Sequence, residues 1–151
     1  MEIQNKIIPV TIAIDFDGTC TTHEFPEIGK DIGAVPVLRE LVSNGHRLIL
    51  FTMRSDIESP QSEDPNIIAK GGNYLTAAVN WFTENGLPLY GIQTNPTQRS
   101  WTTSPKCYAE LFIDDAGLGI PLSRDRYLSS RPYVDWVAVM KLLVERGLIK
   151  L

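Results

Sequence analysis

Apolar residues fall along this chain in short runs separated by stretches with helical spacing. Residues 7–14 are nearly all apolar, the pattern of a central strand covered on both faces. Over 35–44, Val35, Leu38, Leu41 and Val42 share one face, Pro36 sits near the first turn and Gly45 follows, which predicts a helix and its stop. Arg47-Leu48-Ile49-Leu50-Phe51 predicts the second strand. The spacing of Tyr74, Ala77, Ala78, Trp81 and Phe82 predicts a helix over 74–85 that ends at Gly86. Residues 89–92 predict strand three and Leu111-Phe112-Ile113 strand four. A last helix is expected from Asp135, an acceptable N-cap, with Val137, Met140, Leu143 and Val144 turned inward before Gly147. Trp81, Phe82, Trp136 and Met140 read most simply as core. This alternation predicts an α/β domain with a central, mainly parallel sheet.

Two segments resist the scheme. Residues 54–72 contain Pro60, Pro65 and a Gly pair with little apolar periodicity, and residues 93–106 are similarly irregular. Both are long enough as loops to carry a role, and 54–72 is a candidate lid. The sequence has no internal repeat and no low-complexity tract.

Bulk properties narrow the classes. The 151 residues, 43% of them hydrophobic, can bury one sizeable core with little left for a second, so a single domain over 1–151 is expected. Met1-Glu2-Ile3-Gln4-Asn5-Lys6 carries no signal-peptide pattern, and no run approaches bilayer-spanning length, which leaves a cytoplasmic setting as the default. Cys20 and Cys107 are too few for a disulfide framework and form no zinc pattern with the two histidines. A net charge of -4 and a pI near 5.1 argue against a broad nucleic-acid surface and favour a small substrate, with no membrane partner.

The chemistry concentrates where the first apolar run ends, in Asp15-Phe16-Asp17-Gly18-Thr19. In an extended chain residues i and i+2 face the same side, so Asp15 and Asp17 can address one point at the strand's carboxyl end. Two anions so placed need a cation or a shared proton between them. Mg2+, which takes carboxylates together with phosphate oxygens, meets that need and leaves Asp15 as a nucleophile. Ligands of open α/β sheets bind beyond the carboxyl ends of the strands. Thr52 after strand two, Lys106 before strand four and Asp114-Asp115 after it belong to the same set.

In this set and order the sequence resembles the haloacid dehalogenase (HAD) superfamily of phosphatases over about residues 10–121. The four motifs of that superfamily are matched by 14–19, Phe51-Thr52, Lys106 and 111–115. The resemblance implies a HAD-like Rossmannoid three-layer sandwich, a Mg2+ cofactor and an aspartyl-phosphate on Asp15. It implies a metal site from Asp15, Asp17 through its backbone carbonyl, and Asp114, with Asp115 orienting a metal-bound water. Asp17 would act as acid and then base, while Thr52, Lys106 and the turn at Gly18 and Thr19 would hold the phosphoryl oxygens.

Around this set, Arg54 reads as a clamp for a substrate anion or one half of a surface ion pair, and His23 and Glu24 as contacts to the leaving group or, more simply, a solvated loop pair. Trp101 reads as packing, and Arg99, Arg124, Arg126 and Arg131 as surface charge. The segments after the first motif and after the strand that precedes the third are too short for a folded cap, so the chain resembles capless members, including small bacterial hydrolases that share Phe25-Pro26-Glu27-Ile28-Gly29. An open site of this kind suits a homodimer or a mobile loop as its cover. The alternatives are a phosphotransferase or mutase on the same fold, and a receiver-like signalling module. A receiver has its acid pair at the first strand and its phosphate-accepting Asp later, the reverse of the order here.

Overall fold

The computed structural model describes residues 6–58 and 71–151. In chain order its elements are β1 (Thr11–Ile14), α1 (Ala34–Ser43), β2 (Arg47–Leu50), β3 (Asp56–Ile57), β4 (Gly72–Asn73), α2 (Tyr74–Glu84), β5 (Gly91–Ile92), β6 (Leu111–Ile113), β7 (Leu122–Ser123), β8 (Tyr133–Val134) and α3 (Trp136–Glu145). Four of the strands form a parallel sheet in the order β5-β2-β1-β6. β1 lies inside it with all four residues buried. Three of them are β-branched, which suits a pleated surface covered on both sides. Full burial of one Ile side chain contributes about 1.5–3 kcal/mol.

The chain winds outward from β1 through α1 to β2 and through α2 to β5, then returns across the sheet to β6. The three helices pack on the sheet face that presents Ile12, Ile14, Leu48 and Leu50, with Phe16, Leu38, Leu41, Phe82, Trp136 and Leu143 in the same core. The opposite face buries Ala13 and Ile49 against Cys107 and Ala109 of the β5–β6 return. A three-layer sandwich was expected. Among the described residues no helix covers this second face, because the return runs as a loop with one short 3-10 turn at Gln98–Ser100. Buried Gln98 holds that loop in shape, accepting from the Asn95 and Tyr108 N–H groups and donating to the Lys106 carbonyl.

Some boundaries move for local reasons. β1 is shorter than the apolar run 7–14, since Ile8 is exposed and Pro9 has no N–H to give a ladder. Strand three shrinks to β5, although the Tyr90 N–H still bonds the Leu48 carbonyl. In α3 the buried face is Trp136, Val139 and Leu143, while Val137, expected inward, is 72% exposed. Asp135 caps this helix by accepting from the Val137 and Ala138 N–H groups, both at 3.1 Å. That fixes Trp136 as the first inward residue and turns Val137 out. The ends of the 54–72 segment pair as the antiparallel β3–β4 ladder, and Asp56 caps α2 by accepting from the Thr76 N–H at 2.9 Å. The lid expected of this segment falls mostly on 59–70, outside the described residues. Among the described residues no helix is long and apolar enough to cross a membrane.

His46 ties the chain's end to its first strand. The Val10 N–H donates to Nδ1 at 3.0 Å and Nε2 donates to the Leu148 carbonyl at 2.7 Å, all around a buried ring. His46→Leu preserves bulk but strands both backbone groups, at a cost of about 1–3 kcal/mol each where they stay dry. A urea titration is expected to show a lower midpoint at unchanged slope; an unchanged midpoint would mean that the ring acts only as filler.

Candidate functional site

Register brings the acids together. Ile14 pairs with Ile113, and the Asp15 N–H continues the ladder to the Ile113 carbonyl at 3.0 Å, so Asp15 and Asp114 emerge side by side. This is the crevice where the strand order reverses, the usual ligand position of such sheets. One carboxylate oxygen each from Asp15, Asp114 and Asp115 lies within 4.8 Å of the others. Burial above all pushes the Asp15 carboxyl up from 3.8 to about 8; the Thr19 hydroxyl and Phe16 backbone oppose the rise, while Asp115 and Asp114 add to it. Burial also raises Asp114, against the Ala116 N–H and with the help of Asp115. Half-desolvated carboxylates this close repel each other, and an all-oxygen donor set fits a hard divalent cation.

Thr19 and Gly18 build the frame of this cluster. The buried Thr19 hydroxyl donates to Asp15 Oδ2 at 2.7 Å and accepts from the Asp115 N–H at 3.0 Å. Gly18 has φ +81°, its N–H bonds the Thr21 carbonyl, and a Cβ there would sit 1.9 Å from His23 Nε2. Only glycine admits both that backbone and that approach. His23 in turn lies with Nε2 2.8 Å from Asp115 Oδ2, so it belongs to the site and is not a solvated loop residue. Gly18 and Thr19, expected to hold substrate oxygens, use these groups within the protein.

Asp17 has a different partner. Arg54 meets it as a fork, Nε to Oδ2 and Nη2 to Oδ1, both at 2.8 Å. The three remaining Arg54 donors go to the carbonyls of Pro26, Tyr74 and Glu27, and the guanidinium lies over the rings of Phe16 and Phe25. Arg54 is 2% exposed with all five donors used. It is therefore neither a surface ion pair nor a residue with a donor to spare for substrate. The Asp17 carboxylate, held this way, stands outside the three-acid cluster, and Asp115 stands inside it.

A cleft of about 540 Å3 opens over the cluster, lined by Asp15, Asp17, Thr52, Asp114 and Asp115. His23, Arg54, Phe25, Met53 and Arg131 complete the wall. Thr52 is pinned by Gln93, whose side chain accepts from the Thr52 N–H at 2.8 Å and donates to the Thr52 and Arg54 carbonyls. The Thr52 hydroxyl accepts from the Arg54 N–H, leaving its proton for the cleft. Lys106 is exposed and absent from the lining, and Trp101 packs edge-on against Tyr108 at the surface.

Sequence reasoning missed the Gln93 clamp, although Gln93 directly follows strand three. It also missed the carboxyl-terminal ties. The Val134 N–H bonds the Gly18 carbonyl at 3.0 Å and Trp136 Nε1 bonds the Thr19 carbonyl at 2.7 Å. A tryptophan expected simply as core thus also holds the turn of the site.

Two outcomes follow from this electrostatics. A raised Asp15 pKa means the folded, metal-free protein holds a proton that the unfolded chain releases, so stability falls as pH rises from about 4 to about 8. Asp15→Asn is expected to flatten that fall and raise the melting temperature at pH 7.5 by about 3 °C or more, the shift of ~1 kcal/mol in a chain of this length. The gain should vanish at pH 3; a mutant that melts lower than the unaltered chain at pH 7.5 would contradict it. Arg54→Ala leaves a half-buried carboxylate and three carbonyls without their partner and empties the buried space of the guanidinium, and is expected to cost about 3 kcal/mol in chemical denaturation, against under about 1 kcal/mol for a surface arginine.

No protein-family model matches the sequence, and a search of curated proteins returns no match. Among solved structures, one described as a conserved protein coded by a locus of Bacteroides thetaiotaomicron is similar with a TM-score of 0.67. The two share 31% identity over 92% of this chain and 93% of that one. At that identity and coverage, the chain belongs to the same family as the conserved Bacteroides thetaiotaomicron protein.

Proposed function

We propose that this chain is a Mg2+-dependent phosphomonoester hydrolase that works through an aspartyl-phosphate on Asp15. The observation that carries the reading is the convergence of Asp15, Asp114 and Asp115 at the carboxyl ends of β1 and β6, with Asp17 two residues on. The resemblance of the motif order to the HAD superfamily supports the same chemistry. A Mg2+ held by Asp15, Asp114 and Asp115 would supply the positive charge that lets a carboxylate approach a phosphate dianion.

The chain's own groups account for the rest. An Asp15 carboxylate oxygen attacks phosphorus in line, the ester P–O bond breaks, and Asp17 gives its proton to the leaving oxygen. Asp17 then takes a proton from water, whose oxygen attacks the aspartyl-phosphate; the Asp15 O–P bond breaks and inorganic phosphate leaves. Arg54 aims Asp17 for both transfers, because the fork fixes the carboxylate plane while each oxygen keeps a further lone pair. Thr19 holds Asp15 on its other side, so the nucleophile is oriented before substrate arrives. The Thr52 hydroxyl donates to a phosphoryl oxygen. The cleft volume lies within the ~300–1,000 Å3 of ordinary small-molecule sites and suits a small phosphorylated metabolite or nucleotide.

The test is inorganic phosphate release from sugar phosphates, nucleotides and an aryl phosphate, with Mg2+ and with chelator. Turnover is expected to need both the metal and Asp15, with Asp15→Asn lowering kcat by about 1,000-fold or more. Asp114→Asn is expected to raise the Mg2+ concentration for half-maximal rate by about 10–100-fold. Turnover that survives chelator or Asp15→Asn would sink the reading.

A further inference from the structure

The cleft that holds the proposed reaction has four carboxylates on its wall, and a phosphate dianion entering it needs a protein cation as well as a metal. Three basic residues line it among those described: His23, Arg54 and Arg131. His23 is engaged with Asp115, and Arg54 has spent all five donors on Asp17 and three carbonyls. Lys106, the cation expected from the motif order, does not line the cleft. That leaves Arg131, whose guanidinium is exposed and bonded to no acceptor among the described residues.

Arg131 is also held in place. Its N–H bonds the Oγ of buried Ser129 at 3.3 Å, and the Ser129 N–H bonds the Asp125 carbonyl at 3.2 Å. Pro132 and the buried β8 pair Tyr133–Val134 follow directly. The Val134 N–H then fastens this segment to the Gly18 carbonyl, inside the turn that carries the first motif. The backbone that carries this cation and the turn that carries the acids are thereby joined, although Arg131 lies beyond the residues over which the HAD resemblance runs. Of the surface arginines at 124, 126 and 131 in the β7–β8 loop, only Arg131 lines the cleft.

We infer that Arg131 is the residue that binds the anionic phosphoryl oxygens of the substrate, the task expected of Lys106 or Arg54. The inference rests on the phosphatase reading for its substrate, but the anion site can be tested without turnover. A planar guanidinium with free donors meets two phosphate oxygens at once, which an ammonium cannot do with one geometry.

The experiment measures binding of inorganic phosphate to the full chain with Mg2+ by calorimetry, alongside KM and kcat on the best substrate of the panel. Arg131→Gln is expected to weaken phosphate binding and raise KM by about tenfold or more, and Arg131→Lys to recover part of the loss. Arg126→Gln, on the same loop but outside the cleft, is expected to change neither. Melting curves of each variant check that the fold is intact. Phosphate binding unchanged in Arg131→Gln overturns the inference, as does loss in Lys106→Gln with none in Arg131→Gln. Failure of the unaltered chain to bind phosphate overturns it too. Phosphate binding that needs Arg131 without turnover of any ester would retain the anion site and remove the hydrolase; turnover with a KM indifferent to Arg131 would do the reverse.

Discussion

Everything at the candidate site depends on β1 and β6 lying side by side in parallel and ending at the same level. Ile14 opposite Ile113 is a packing arrangement, stabilised by burial of both side chains in the core that the helices share. Its by-product is electrostatic: the next residues on both strands are acids, and they share one desolvated crevice. The strain of that proximity is visible in Asp15, whose carboxyl holds its proton to about pH 8 in the absence of a cation. A fold that tolerates this at a partly desolvated strand end is storing affinity for positive charge, because binding a cation releases the repulsion that folding imposed.

Loops around that crevice are tied to one another by hydrogen bonds. Arg54 alone joins the β2 end, the Asp17 turn, the Pro26–Glu27 segment and the start of α2. Gln93 joins β5 to the residues after β2, and Val134 and Trp136 join the carboxyl-terminal part to the Gly18–Thr19 turn. Fixed loops keep functional side chains within the tolerances that chemistry demands. The same ties explain why glycine stands at position 18, where a left-handed backbone and the His23 ring compete for one space.

Much of this was legible in the sequence, and the division is physical. Periodicity reveals which residues are buried by local geometry, so β1, β2, β6 and all three helices could be read, and with them the acids that end the strands. What periodicity cannot reveal is a partner chosen in three dimensions. Arg54 reads as an exposed cation because arginine usually is one, and only its five acceptors, spread over positions 17 to 74, explain its burial. Val137 fits the α3 apolar pattern as well as Val139 does, and the choice between them was made by the Asp135 cap and the Trp136 bond to Thr19. That no helix among the described residues covers the second face was invisible for another reason: residues 93–106 lack a helical pattern, and the resemblance suggested a helix layer that the return to β6 does not build.

The four carboxylates of the cleft are chemically alike and are set apart by their neighbours. Asp15, Asp114 and Asp115 face one another with few compensating donors, which makes them a place for a cation. Asp17 is drawn out of that group by two charge-assisted bonds to Arg54. Were Asp17 instead free to join the cluster, a metal could take its side chain as a ligand, and a carboxylate bound to a metal is a poor carrier of protons. In the proposed reaction the buried arginine therefore serves selectivity among the acids: it keeps one carboxylate out of the cluster and fixes its orientation toward the leaving oxygen and the water. That role needs a guanidinium at position 54 and a separate cation for the substrate, so a second arginine on the cleft wall is a consequence of how the first is used.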